Sequence, residues 1–154
     1  MMTTTTNTAS SSTQGEQIIP MGKLWRVGLI AAAGASFANL VLFWITKGLF
    51  GIPYIIPMGG PSGPLEPMPA GVIIFLSVVS AVGATILLAL LGKFRARPIR
   101  LFWIISGVLF VLSFLFPLTL PAGVATSTKI GLGLMHPIAW GVIAGVLTTL
   151  GREK

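Results

Sequence analysis

The sequence predicts an all-α membrane protein, a four-transmembrane-helix bundle with both termini cytoplasmic. Three observations carry this. The 154 residues are 54% hydrophobic and 8% charged, against about a quarter charged in a soluble domain, so the chain cannot cover a folded surface with water-compatible groups. Four apolar runs, 24–46, 70–91, 101–120 and 130–150, each approach the roughly 20 residues that cross a hydrocarbon core about 30 Å thick. Finally, Lys23, Arg26, Lys93, Arg95, Arg97, Arg100, Arg152 and Lys154 fall on one side of such a bundle, and only Lys47 and Lys129 on the other. By the positive-inside rule the richer side is cytoplasmic.

Residues 1–22, "MMTTTTNTASSSTQGEQIIPMG", are rich in Thr and Ser and are expected to form a disordered cytoplasmic tail, because they bury too little to offset ordering entropy. Residues 23–151 form the transmembrane domain. The first run continues past Ser36-Phe37-Ala38 through "NLVLFWIT", so it reads as a span and not as the short core of a cleaved signal. Trp25, Trp44 and Trp103 lie near span ends, as interfacial aromatics do. On helix 1, Gly28, Ala32, Ala35, Asn39 and Thr46 share a narrow arc suited to close helix contact, with Leu40, Val41 and Trp44 opposite and toward lipid. Helix 2 brings Ser77, Ala81, Ala84 and Leu88 to one face, and helix 3 carries Ser106 and Ser113 one heptad apart.

Between the first two spans lies "GIPYIIPMGGPSGPLEPMP", with six prolines and four glycines. That content predicts turns and extended segments and excludes regular helix or paired strand. Its apolar residues, among them Tyr54, Ile56 and Met68, are expected to lie on the membrane or cap the bundle as a stiff connector, with a binding lid as the second reading. Glu66 is positioned to pair with Lys47 or Lys129. The basic "GKFRARPIR" turn, with Lys93, Arg95, Arg97 and Arg100, is expected to contact anionic lipid headgroups. It has no aromatic or fold signature of nucleic-acid binding.

The chemistry must come from polar residues inside the spans. Asn39, Ser77, Ser113 and His136 each lie six or seven residues inside the outer end of their run, which places all four about 10 Å beneath that boundary. They form a candidate polar layer, structural or ligand-binding. Pro137 frees the carbonyl of Gly133, and Pro117 that of Ser113; each freed acceptor needs a donor inside hydrocarbon. His136 therefore reads first as a helix linker, bonded to Asn39 or to a freed carbonyl. Its second reading is the floor of a ligand site, or a proton-relay element, together with Asn39. Gly141 and Gly145 lie about 140° and 180° around the helix from His136, a seam for helix packing or a homodimer.

One histidine, three scattered acids and no cysteine cannot assemble a metal site or a nucleophile triad. No phosphate-binding glycine loop follows a strand, and no span carries the Asp or Glu that usually marks proton-coupled transport, which argues against a four-helix multidrug exporter. No cofactor or enzymatic activity is expected. The lipid bilayer is the expected partner, with a second copy or another membrane protein as further candidates.

The segments "LWRVGLIAAAGASFANLVLF", "IPYIIPMGGP", "KFRARPIRLFWIIS" and "PAGVATSTKIGLGLMH" together resemble a group of uncharacterised bacterial four-span membrane proteins, a domain of unknown function found mostly in actinobacteria. The likeness covers about residues 23–150, and Asn39, the Arg-Pro-Ile-Arg turn and Met135-His136 are the positions that match its pattern. It implies a bacterial plasma-membrane location and the four-helix architecture. It carries no activity and no catalytic residues.

Overall fold

A computed structural model describes residues 20–94 and 97–151. Four of its helical segments are long and apolar enough to cross a membrane: Met21–Leu49, Ala70–Phe94, Pro98–Leu118 and Thr126–Leu150. The first two are α1 and α2, and Thr126–Leu150 is α5. The third is interrupted at Phe114, dividing it into α3 (Pro98–Ser113) and the short α4 (Leu115–Leu118). Pro117 causes the break, since it has no N–H for the carbonyl of Ser113. Pro137, by contrast, is accommodated within α5. Residues 1–19 of the expected tail lie outside the described residues, and its last two, Met21 and Gly22, already belong to α1.

α1 is the central helix, packed extensively against both α2 and α5. Its small-residue arc makes this possible: Gly28, Ala32, Ala35, Asn39 and Thr46 are all buried, while Val41 and Trp44 are exposed. Leu40 departs from the expected lipid-facing side and is half-buried beside the core. At Gly28 the backbones approach so closely that a Cβ would stand 2.5 Å from Thr85 Oγ1 on α2. α3 is different. Only Pro98, Phe102 and Ser106 of its 16 residues are buried, so it lies loosely across the junction of α2 and α5.

The prolines of the long connection do not prevent pairing, contrary to expectation. Strands β1 (Ile55–Pro57) and β2 (Leu65–Pro67) form an antiparallel hairpin. The register explains how. Ile56 pairs with Glu66, and Met58 N–H donates to Pro64 O while Met68 N–H donates to Tyr54 O. The hydrogen-bonded positions are therefore 54, 56 and 58 on one strand and 64, 66 and 68 on the other. Pro57 and Pro67 occupy the alternate positions, where no ladder donor is required.

The same alternation sends Tyr54 and Ile56 inward, where they are buried with Ile52 and Met68 against Phe43, Ile73, Leu132 and Met135. Tyr54 is fully buried; its hydroxyl hydrogen-bonds Thr46 Oγ1 at 2.6 Å and abuts Gly131, where a Cβ would stand 2.5 Å from the phenol oxygen. The hairpin is thus a packed cap. Lys129 Nζ donates to Leu120 O at 2.6 Å, and Lys47 Nζ lies over the Phe43 and Trp44 rings, so neither lysine reaches Glu66 as expected.

Candidate functional site

The apolar core has two parts. One, toward the chain termini, contains Ala35, Ala81 and Ile143; the other, beneath the hairpin, contains Phe43, Ile73 and Met135. Between them runs a seam where three helices turn polar or small residues inward. Asn39 lies midway between Ala35 and Phe43, Ser77 midway between Ile73 and Ala81, and His136 and Ala139 between Met135 and Ile143.

Asn39 and Ser77 meet directly. Asn39 is 5% exposed, and its Nδ2 donates to Ser77 Oγ at 3.3 Å. The other half of the amide, Oδ1, is buried and has no hydrogen-bond partner. Ser36 Oγ and Thr128 Oγ1 are likewise without partners, but those hydroxyls can turn toward a carbonyl of their own helix. An amide oxygen cannot, and in a low-dielectric interior an unsatisfied acceptor costs about 1–3 kcal/mol.

His136 does not bond Asn39. Its Nδ1 lies 2.8 Å from Leu132 O, one turn back in α5. Nor is that carbonyl the one freed by Pro137, which belongs to Gly133. The bond to Leu132 still orients the ring. A carbonyl oxygen can only accept, so Nδ1 carries the proton and Nε2 presents a lone pair in the neutral imidazole. On its other side the ring packs against Phe114, with centroids 5.7 Å apart.

Asn39, Ser77, Ser80 and His136 line a cavity of about 110 Å³ between α1, α2 and α5, with Met68 of the cap and Phe116 of α4 at its boundary. A second space of about 390 Å³ lies under α3, between α2 and α5, and opens to the bundle surface. Ser80, His136 and Ala139 border both, so the two spaces adjoin at the histidine. Ser113 borders only the larger space, and its hydroxyl is committed to Phe110 O at 2.6 Å. The four residues of the expected layer thus divide: Asn39, Ser77 and His136 share the small cavity, and Ser113 stands with His136 at the cleft. The layer is also deeper than expected on α1 and α5. Asn39 and His136 are each ten residues from the hairpin end of their helix, or about 15 Å at the helical rise.

An aromatic wall that sequence reasoning missed lines one side of the cleft. Phe110 stacks on Trp140 at 4.8 Å, Trp103 meets the same indole edge-on at 5.3 Å, and Phe110 contacts Phe114 at 5.1 Å. Trp140 Nε1 donates to Ser106 Oγ at 3.4 Å. Helical spacing carried the signal: His136 and Trp140 are four apart, as are Phe110 and Phe114, and such pairs share a face.

Gly141 and Gly145 have open space where a Cβ would stand, so no described residue packs on them. Lys93 and Arg100 are exposed at the end of the bundle where α2 finishes and α3 begins, and Lys93 Nζ lies over the Phe94 ring. Arg97 is exposed beside them; Arg95 lies outside the described residues, as do Arg152 and Lys154.

Comparison with curated proteins and with solved structures gives no match. The four apolar helices and the sequence agree in making this an integral membrane protein, and the chain, matched over residues 19–152, belongs to a family of unknown function (DUF6069).

Proposed function

We propose that the protein is a non-enzymatic membrane protein that binds a lipid-soluble small molecule within its bundle. One observation carries the reading: a buried, unpartnered amide oxygen belongs to a side chain lining a cavity that adjoins, at His136, a larger cleft open to the bundle surface. A polar group left unsatisfied in this way is retained when something other than stability requires it. The cleft is of the size of small-molecule sites, about 300–1,000 Å³, and is mostly apolar with a few polar groups, as such sites are. Loose packing of α3 gives a lateral path from the bilayer. The reading places the protein in a bacterial plasma membrane with both termini cytoplasmic, supported by Lys23, Arg26, Lys93 and Arg100 at one end of the helices and only Lys47 and Lys129 at the other.

The test is native mass spectrometry of protein extracted in mild detergent. A discrete bound lipid, lost in the Ser80→Leu/Ala139→Leu variant that fills the junction of the two spaces, supports the reading. Occupancy identical in that variant and in wild type overturns it. A second reading, self-association, rests on the unpacked Gly141 and Gly145. The chain has no native cysteine, so Gly145→Cys reports it cleanly: a disulfide-linked dimer in membranes supports it, and monomer under oxidising conditions removes it.

A further inference from the structure

The polar groups around the smaller cavity are unequal in kind. Asn39 Nδ2 is engaged with Ser77, which leaves Oδ1, an acceptor. His136 Nδ1 is engaged with Leu132, which leaves Nε2, an acceptor in the neutral ring. Ser80 can donate or accept and so discriminates nothing. Neither space is lined by Asp, Glu, Lys or Arg. An ionised headgroup would be held there without a counter-charge, which is costly in a hydrocarbon surround. An ether or ester headgroup brings further acceptors and leaves both existing ones unsatisfied. A hydroxyl supplies what is missing.

From this surplus of acceptors we infer that the ligand's headgroup is a neutral hydrogen-bond donor, an alcohol or phenol on an apolar body, whose single O–H is shared between Asn39 Oδ1 and His136 Nε2. The inference rests on the ligand-binding reading above. The hydroxyl sits in the smaller cavity and the apolar body lies in the larger cleft against Phe110 and Trp140. The cap contributes Met68 as an apolar ceiling over the headgroup.

The experiment uses Trp140 as the reporter, since it borders the cleft. The full chain carrying Trp25→Phe, Trp44→Phe and Trp103→Phe keeps one of its four tryptophans. In nanodiscs it is titrated with four bromine-labelled probes of one chain length: a dodecanol, its methyl ether, the carboxylate and the trimethylammonium. Quenching is corrected for partition into empty nanodiscs. The alcohol is expected to bind about five- to tenfold tighter than its ether, the contribution of about one net hydrogen bond. Asn39→Leu and His136→Phe should each pull that ratio toward one, and the wild-type ratio stands by itself if either variant fails to fold. Equal affinity for alcohol and ether overturns the headgroup inference and leaves the binding reading intact. Tightest binding of either ion overturns it in favour of a charged ligand. Absence of saturable quenching by any probe overturns both.

Discussion

Replacing Asn39 by leucine should make the protein more stable, and the size of the gain follows from its surroundings. The substitution removes two things. One is the hydrogen bond from Nδ2 to Ser77 Oγ, which is long at 3.3 Å; bonds of this kind between membrane helices contribute about 0.6 kcal/mol on average. The other is the buried, unpartnered Oδ1, whose burial costs about 1–3 kcal/mol. Ser77, left alone, can turn its hydroxyl to a carbonyl of α2. Leucine's branched end has room beside it in the adjoining cavity of about 110 Å³, so overpacking is small. The net expectation is stabilisation of about 0.5–2 kcal/mol. Equilibrium unfolding in mixed detergent micelles measures it, with Ser77→Ala and the double variant completing a cycle. The Asn39–Ser77 coupling should be near 0.6 kcal/mol, and a cycle between Asn39 and His136→Ala should show little coupling, since no hydrogen bond joins them. Destabilisation of more than about 1 kcal/mol by Asn39→Leu, or an Asn39–His136 coupling larger than that with Ser77, would refute the reasoning. Asn39 would then be a helix linker and the case for a site would go with it.

Other predictions follow from close contacts and from the cap. Gly131→Ala should destabilise by about 1–3 kcal/mol, because its Cβ would stand 2.5 Å from the Tyr54 hydroxyl, whereas Gly141→Ala should stabilise by up to about 1 kcal/mol because its Cβ meets nothing; thermal unfolding of the pair in one detergent separates the two. Burial pushes the Tyr54 phenol above its ordinary value of 10.0, only partly offset by the hydrogen bond with Thr46. Between the unfolded and folded pKa the native state therefore binds more protons. The cap's contribution is intact below about pH 10 and is lost as pH rises through the folded value. Tyr54 is the only tyrosine, so its tyrosinate absorbance should lag that of the unfolded chain on alkaline titration. Lys93→Gln with Arg100→Gln should weaken the preference for anionic over zwitterionic lipid by about 1 kcal/mol per charge, read by competition between labelled lipids in nanodiscs.

Hydropathy alone was enough to find the four long apolar helices, because a membrane imposes length and apolarity on each helix independently of its neighbours. The small-residue arc of α1 was also legible, since close packing demands Gly and Ala at helical spacing and all five arc positions are buried. The hairpin was not. Proline content argues against strands only when the register is ignored, and register depends on pairings such as Ile56 with Glu66 that composition does not encode. The break at Phe114 could be anticipated from Pro117 as a freed carbonyl, but not as an interrupted helix, because Pro137 in the same chemical situation leaves α5 continuous.

Depth along a helix and rotation around it answer different questions about the site. Counting residues from span ends brought Asn39, Ser77 and His136 into one layer, and they do line one cavity. The same count placed Ser113 with them, yet α3 stands apart from α1, and Ser113 reaches only the cleft that His136 also borders. Hydrogen-bond partners required rotation as well as depth. A histidine next to a proline suggested a donor for the carbonyl that the proline frees, but the imidazole reaches one residue further back, to Leu132. That shift decides the chemistry. With Nδ1 satisfied inside its own helix, the ring has no need of Asn39, and the amide oxygen of Asn39 has no donor from the ring. Both side chains line the small cavity, and no described residue donates to the amide oxygen of Asn39. A bundle built only for stability would be better served by apolar residues at both positions, so the pair makes chemical sense together with a molecule that brings the donor.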